Sequence, residues 1–200
     1  MIRINDILQV EKHIDCMDVV LFDLDDTLYS EKDYVRSGYH KIAEWLNDSE
    51  IEGKLWTAFQ KDGRALDEVL DEKDREEALK IYRFQQPDIY LYSGIGQMLE
   101  RIGKKKKIGI ITDGRPEGQR AKIKALGLMT LVDEVIITDE LGGINFRKPN
   151  ETAFVEMQKR FCTSFERMCY VGDNVNKDFI APDKLGMKSI WFDNVDGLYK

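Results

Sequence analysis

Apolar and polar positions fall into two regimes along the chain. Five short runs, Val19–Phe22, 108–111, 135–137, 169–171 and 189–192, are apolar almost without interruption. That is the pattern of strands buried on both faces of a parallel sheet. Between the last four lie segments punctuated like helices: 116–126 stopped by Gly127, 149–161 opened by Pro149, and 177–185 stopped by Gly186. Glycine just past a helix end and proline in the first turn are favoured at those positions. Strand and helix alternating in this way predict right-handed crossovers onto a parallel sheet, an α/β fold. The first 17 residues, with Ile4, Ile7 and Leu8 at helical spacing, read as a short amphipathic lead-in.

Residues 30–86 follow the other regime. Val35, Tyr39, Ile42 and Leu46 recur at helical spacing, as do Ile51, Leu55 and Phe59, then Leu66, Val69 and Leu70, then Ala78, Leu79 and Tyr82. Ser49 and Glu52 have the spacing of a capping box opening the second of these helices. Trp45, Trp56 and Tyr39 are expected in the core of the bundle. The segment is predicted to be a small helical bundle inserted after the first strand, leaving at Gln86-Pro87. The α/β unit then comprises 1–29 and 87–200, with 30–86 as the insertion.

Two hundred residues leave room for one domain with a large insertion and not for two full domains. No apolar run approaches the roughly 18 residues of a membrane span, and the opening residues lack a signal-peptide stretch. A net charge of −7 argues against nucleic acid and anionic membrane as partners. Three irregularly spaced cysteines and two histidines argue against a Cys/His metal site. The thiols are expected to be small buried residues of a cytoplasmic chain.

The chemistry concentrates where strands end. Asp23-Leu24-Asp25-Asp26-Thr27 closes the first run, and residues two apart in an extended chain share a face. Asp23 and Asp25 so close together favour one ionised and one protonated carboxyl unless a cation intervenes. Ligands of open α/β sheets collect at these C-terminal strand ends. The 108–111 run leads to Thr112-Asp113-Gly114, Lys148 precedes Pro149, and 169–171 leads to Gly172-Asp173 with Asp178 beyond. A capping threonine, a solvated lysine and a helix-capping aspartate explain each one separately. Four consecutive junctions delivering Asp/Asp, Thr, Lys and Asp point to one site.

These motifs resemble, in order, the four of the haloacid dehalogenase (HAD) superfamily: Phe22-Asp23-Leu24-Asp25-Asp26-Thr27-Leu28, Thr112, Lys148-Pro149, and Gly172-Asp173 with Asp178. The resemblance spans roughly 18–192. It implies a three-layer Rossmann-like parallel-sheet core, with 30–86 similar to the family's C1 cap. It further implies a phosphatase in which Asp23 attacks phosphorus and Asp25 serves as general acid and then base. Thr112, Asp113, Gly114 and Lys148 would hold the phosphoryl group. Mg²⁺ would sit on Asp23, Asp25 (through its carbonyl), Asp173 and Asp178. Asp113 departs from the asparagine that many relatives carry there. The implied substrate is a small phosphorylated metabolite, a sugar phosphate or nucleotide.

Elementary electrostatics supports that assignment. A carboxylate brought to about 3.5 Å from a phosphate dianion is repelled by about 10 kcal/mol at an effective dielectric of 20. Mg²⁺ and Lys148 would supply the compensating positive charge. A metal-independent dehalogenase of the same superfamily gives Asp25 and Asp173 no task. A phosphomutase would share the core. A receiver-type signalling domain has no place for the insertion or for Asp173. Tyr34, Arg36 and His40, near the start of the insertion, are candidates to reach a leaving group.

Overall fold

The computed structural model describes residues 1–198. Six parallel strands form one sheet in the order β1-β6-β5-β2-β3-β4, with β1 (Ile2–Ile4), β2 (Val19–Phe22), β3 (Lys107–Thr112), β4 (Glu134–Ile137), β5 (Met168–Gly172) and β6 (Lys188–Phe192). Every residue of β2 and β5 is buried, so the apolar runs have no polar face to show. Side chains two apart share a face. Val20, Phe22, Ile108, Ile110, Cys169 and Val171 therefore enter one core, and Val19, Leu21, Ile111, Met168 and Tyr170 enter the other. Helix α5 (Ile95–Gly103) and α6 (Pro116–Ala125) cover the first face, and α7 (Thr152–Phe161) and α8 (Ile180–Leu185) the second. Three layers result. Fully burying one such aliphatic side chain contributes about 1.5–3 kcal/mol.

Four helices follow β2: α1 (Glu31–Leu46), α2 (Glu50–Asp62), α3 (Ala65–Val69) and α4 (Glu72–Phe84). They bury a third core of their own, built on Val35, Tyr39, Ile42, Leu55, Ala58 and Ala78. Gly38 lets α1 meet α4 closely, since a Cβ there would stand 2.4 Å from the Tyr82 ring. Trp45 lies outside this core, 42% exposed. Ser49 does not cap α2: its backbone is already helical and its side chain makes no cap bond. Asp48 takes that role, accepting from the Glu50 N–H at 2.9 Å. Aspartate at the turn competes well with serine for such donors.

Three other expectations are corrected. Residues 2–4 are a strand, not part of a helical lead-in; they pair in parallel with β6 from Ile2↔Ile190 to Ile4↔Phe192. An unpaired β6 edge would leave backbone groups open, and three residues are too few for their period to reveal the difference. Only Ile7–His13 turns helical, as a 3-10 segment capped by Asp6. Helix α7 starts at Thr152, whose N–H is met by Asn150 Oδ1 at 2.8 Å; Pro149 instead follows a cis peptide bond. Of the cysteines only Cys169 is buried, while Cys16 and Cys162 are exposed. Among the described residues no helix is long and apolar enough to cross a membrane.

Candidate active site

The three central strands, β5-β2-β3, end side by side and deliver Asp173, Asp23 and Asp113 to one edge of the sheet. The Asp23 N–H still bonds Val171 O at 2.8 Å, so the ladder holds the first acid in place. The chain then reverses at Asp26, a left-handed residue with φ 52°. Its carboxylate accepts from the Glu31 N–H (2.9 Å) at the start of α1 and from the Leu198 N–H (2.6 Å). Glu31 is thereby carried to the rim of a cleft of about 150 Å³, where Asp23, Asp25, Asp113, Asp173, Arg147 and Lys177 also stand. A larger hollow of about 430 Å³, lined by Ile123, Val132 and Val135 with charged residues such as Arg120 and Glu140, lies between α6 and β4. The titratable groups converge in the smaller space.

Lys148 is wholly buried beside Asp23. Its Nζ donates to Asp23 Oδ1 (2.7 Å) and to the Tyr170 hydroxyl (2.8 Å), which in turn donates to Ile111 O (3.3 Å). Asp178 Oδ1 lies 2.8 Å from the same ammonium but makes no hydrogen bond. The contact is therefore electrostatic. Gly172 permits it, because a Cβ there would stand 2.5 Å from Asp178 Oδ2. Burial opposes the charge on Lys148, but Asp178 and Asp23 outweigh it and raise its pKa well above the usual lysine value.

Carboxylate oxygens of Asp23, Asp173 and Asp178 lie within 4.8 Å of one another. Burial pushes Asp23 up to about 6, Lys148 restraining it and Asp178 adding to the rise. Burial, with Asp23 and Asp178 beside it, pushes Asp173 up to about 8. One ammonium does not balance this group. An all-oxygen set of carboxylates, two buried and one half-buried, with uncompensated charge suits a hard divalent cation. These residues fit Mg²⁺.

Asp25 lies in different surroundings. Lys122 Nζ is 2.7 Å from its Oδ1, the Gln119 amide donates to its Oδ2 at 2.9 Å, and the Tyr29 hydroxyl donates to Oδ1. Burial raises its pKa, but the Lys122 charge and these donors outweigh it, so Asp25 stays below the usual carboxylate range. A cation stands against each of the two neighbouring acids, Lys148 against Asp23 and Lys122 against Asp25. Gln119 also donates to Thr112 Oγ1, which is fully buried. Gly114, at φ +140°, leaves room for the Gln119 side chain.

Asp113 acts as an anchor. Its Oδ1 accepts from the Thr138 hydroxyl (2.9 Å) and the Lys148 N–H (3.0 Å), and its Oδ2 pairs with Lys177 (3.0 Å). Burial is overcome by Lys148 and Lys177, so the group is held as an anion. It locks the Lys148 segment to the end of β3.

All eight residues singled out from the sequence meet here. Lys122, Gln119, Tyr29 and Tyr170 join them without having been singled out, since none closes a strand. Of the three candidates on α1, Tyr34 packs its ring 4.3 Å from Lys122 Nζ. Arg36 stacks on Trp56, and His40 bonds Glu52. Those two face the bundle's own surface.

A model of haloacid dehalogenase-like hydrolases matches residues 20–192. Glyceraldehyde 3-phosphate phosphatase of Methanocaldococcus jannaschii is 26% identical, over 86% of this chain and 82% of that protein. Among solved structures, a HAD-superfamily hydrolase of subfamily IA from Geobacter sulfurreducens superposes with a TM-score of 0.70 at 15% identity, covering 90% and 89% of the two chains. A HAD-hydrolase from Bacillus subtilis, bound to magnesium, gives 0.63 at 17% identity, covering 88% and 86%. With the matched region running from the first residues of β2 to the last of β6, this chain belongs to the haloacid dehalogenase-like hydrolases.

Proposed function

We propose that the chain is a Mg²⁺-dependent phosphatase that hydrolyses small phosphorylated metabolites through a phosphoaspartate on Asp23. The observation that carries this reading is the Asp23–Lys148 pair beside Asp173 and Asp178 at the end of β2. In this reading Asp23 is the nucleophile, Lys148 the phosphate-side cation, and the three carboxylates the metal ligands. The M. jannaschii relative is named for a triose-phosphate substrate, in keeping with a sugar phosphate or nucleotide here.

In this reading an Asp23 oxygen attacks phosphorus and the bond to the ester oxygen breaks. Asp25 gives the departing oxygen a proton, then takes one from the water that attacks the phosphoaspartate. The Asp23–phosphorus bond breaks, releasing phosphate and restoring both acids. Held as a carboxylate, Asp25 is set for the second step. A phosphate dianion entering beside it raises its pKa and readies it for the first. Thr112, Gly114 and Lys148 hold the phosphoryl oxygens, with Asp113 positioning Lys148. Asp23, the Asp25 carbonyl, Asp173 and Asp178 would hold Mg²⁺, which when bound offsets the repulsion between phosphate and carboxylates.

Residues 30–86 act as the cap and 1–29 with 87–200 as the core. Glu31 and Tyr34 bring α1 to the cleft, so closure over a small ester excludes water. Neither nucleic acid nor membrane is a partner in this reading, and the enzyme works in the cytoplasm.

Purified protein is expected to hydrolyse p-nitrophenyl phosphate with Mg²⁺ and to stop with EDTA. Asp23→Asn should lower turnover on the order of 10⁴-fold while the chain stays folded. Full activity in EDTA, or in the Asn variant, would overturn the reading.

A further inference from the structure

Lys122 closes no strand, and its ammonium is nonetheless almost sealed, with a side chain 6% exposed. Burying a lysine this far costs several kcal/mol unless a specific partner holds it. The partner is Asp25, whose Oδ1 it meets at 2.7 Å. One turn earlier on the same face of α6, Gln119 holds the other oxygen of that carboxylate at 2.9 Å and reaches Thr112 Oγ1 as well. Tyr34, from α1, lies against the Lys122 ammonium at 4.3 Å. Both oxygens of Asp25 are thus gripped by one helix, which also touches the phosphate-side threonine and the first helix of the insertion.

We propose that Lys122 and Gln119 are positioning residues that orient the Asp25 carboxyl for proton transfer to the leaving group. The inference rests on the phosphohydrolase reading above. An acid works only when its oxygen stands within hydrogen-bond reach of the departing atom, and misplacement by about 1 Å costs about 100-fold. A carboxyl one residue before the left-handed turn at Asp26 lacks that precision by itself; a grip on both oxygens supplies it. Lys122 is enclosed between Asp25 and Tyr34, behind the cleft, so its service to substrate passes through Asp25.

The test uses the Mg²⁺-loaded enzyme and a series of substituted phenyl phosphates, from p-nitrophenyl to unsubstituted phenyl phosphate. These share a shape but differ in how much their leaving oxygen needs a proton. The ratio kcat/KM reports the steps up to phosphorylation of Asp23. For Lys122→Met the loss should be within about fivefold on p-nitrophenyl phosphate and grow to about 100-fold on phenyl phosphate. Lys122→Arg should restore most of it, and Gln119→Leu should show a shallower slope of the same sign. Equal losses along the series, or none, would overturn the proposal, because a structural role or a direct substrate contact does not track leaving-group acidity. If Lys122→Met does not fold, the slope in Gln119→Leu decides. Wild-type protein inactive on every ester would instead remove the hydrolase reading itself.

Discussion

The two aspartates of the first strand end sit two residues apart and receive opposite treatment. Asp23 shares Lys148 with Asp178 and has Asp173 nearby, so negative charge outnumbers positive; burial and then Asp178 push Asp23 up, and burial with Asp23 and Asp178 pushes Asp173 up. Asp25 pairs directly with Lys122, which also acts on Glu31, and has further donors from Gln119 and Tyr29; it is held down. The group of Asp23, Asp173 and Asp178 is short of positive charge, and that shortage lies where a divalent cation would bind. The Asp25 carboxylate is satisfied, and it lies where a carboxyl needs a fixed direction; on its side the shortage falls on Glu31 at the rim, which burial and Asp25 push up to about 8. Burying charge is costly on both sides.

If the shortage is real, filling it must release protons. Asp173, pushed up to about 8 in the metal-free chain, carries a proton at neutral pH that Mg²⁺ must displace. The affinity for Mg²⁺ is therefore expected to rise about tenfold per pH unit below 8, levelling above it. Calorimetry at pH 6.5 and 7.5, in buffers of different ionisation enthalpy, would read both the affinity and the proton released. PH-independent binding would erase the contrast between the two sides.

A smaller effect concerns stability without metal. A carboxyl raised from 3.8 to about 8 binds its proton more tightly folded than unfolded. The metal-free chain therefore loses stability as pH climbs between those values. Asp173→Asn removes the penalty, so in EDTA its Tm should exceed that of wild type by a gap that widens from pH 5 to pH 8. A gap of several degrees is expected, at roughly 2–4 °C per kcal/mol for a chain of this size. A variant less stable than wild type at pH 8 would show that the acids are already compensated.

The smallest effect is expected at Asp113. An asparagine there keeps an oxygen for Thr138 and the Lys148 N–H but gives up the ion pair with Lys177, a partly exposed contact worth about 1 kcal/mol or less. Activity of Asp113→Asn should fall no more than a few-fold in the aryl phosphate assay. A loss comparable to that of Asp23→Asn would place the Asp113 carboxylate in the chemistry rather than behind Lys148.

Much of this was legible along the chain. Apolar runs such as Val19–Phe22 and 169–171 announce strands sealed on both faces, and the acids that follow them must emerge at the sheet's edge. Helical period in 30–86 marks the insertion equally well. Three-residue β1 was not legible, because its only signal is the free edge of β6, a partner nearly the whole chain away. Asp48 displaced Ser49 as a cap because both residues have the right chemistry and backbone angles decide between them. Lys122 and Gln119 read as ordinary polar positions of an amphipathic helix.

By itself, then, the sequence determined the layers, the succession of strands from β2 onward and the row of acids and hydroxyl at the strand ends, because these follow from local periodicity and from where each run stops. Only the tertiary structure decided which cation each aspartate receives. Lys148 reaches Asp23 from a segment held at the end of β3, and Lys122 reaches Asp25 from a helix one layer away. Such pairings depend on how α6 is rotated against the sheet and on how deeply each side chain is buried. Both are settled by packing between distant segments, and it is burial that turns a two-residue spacing into two different acids.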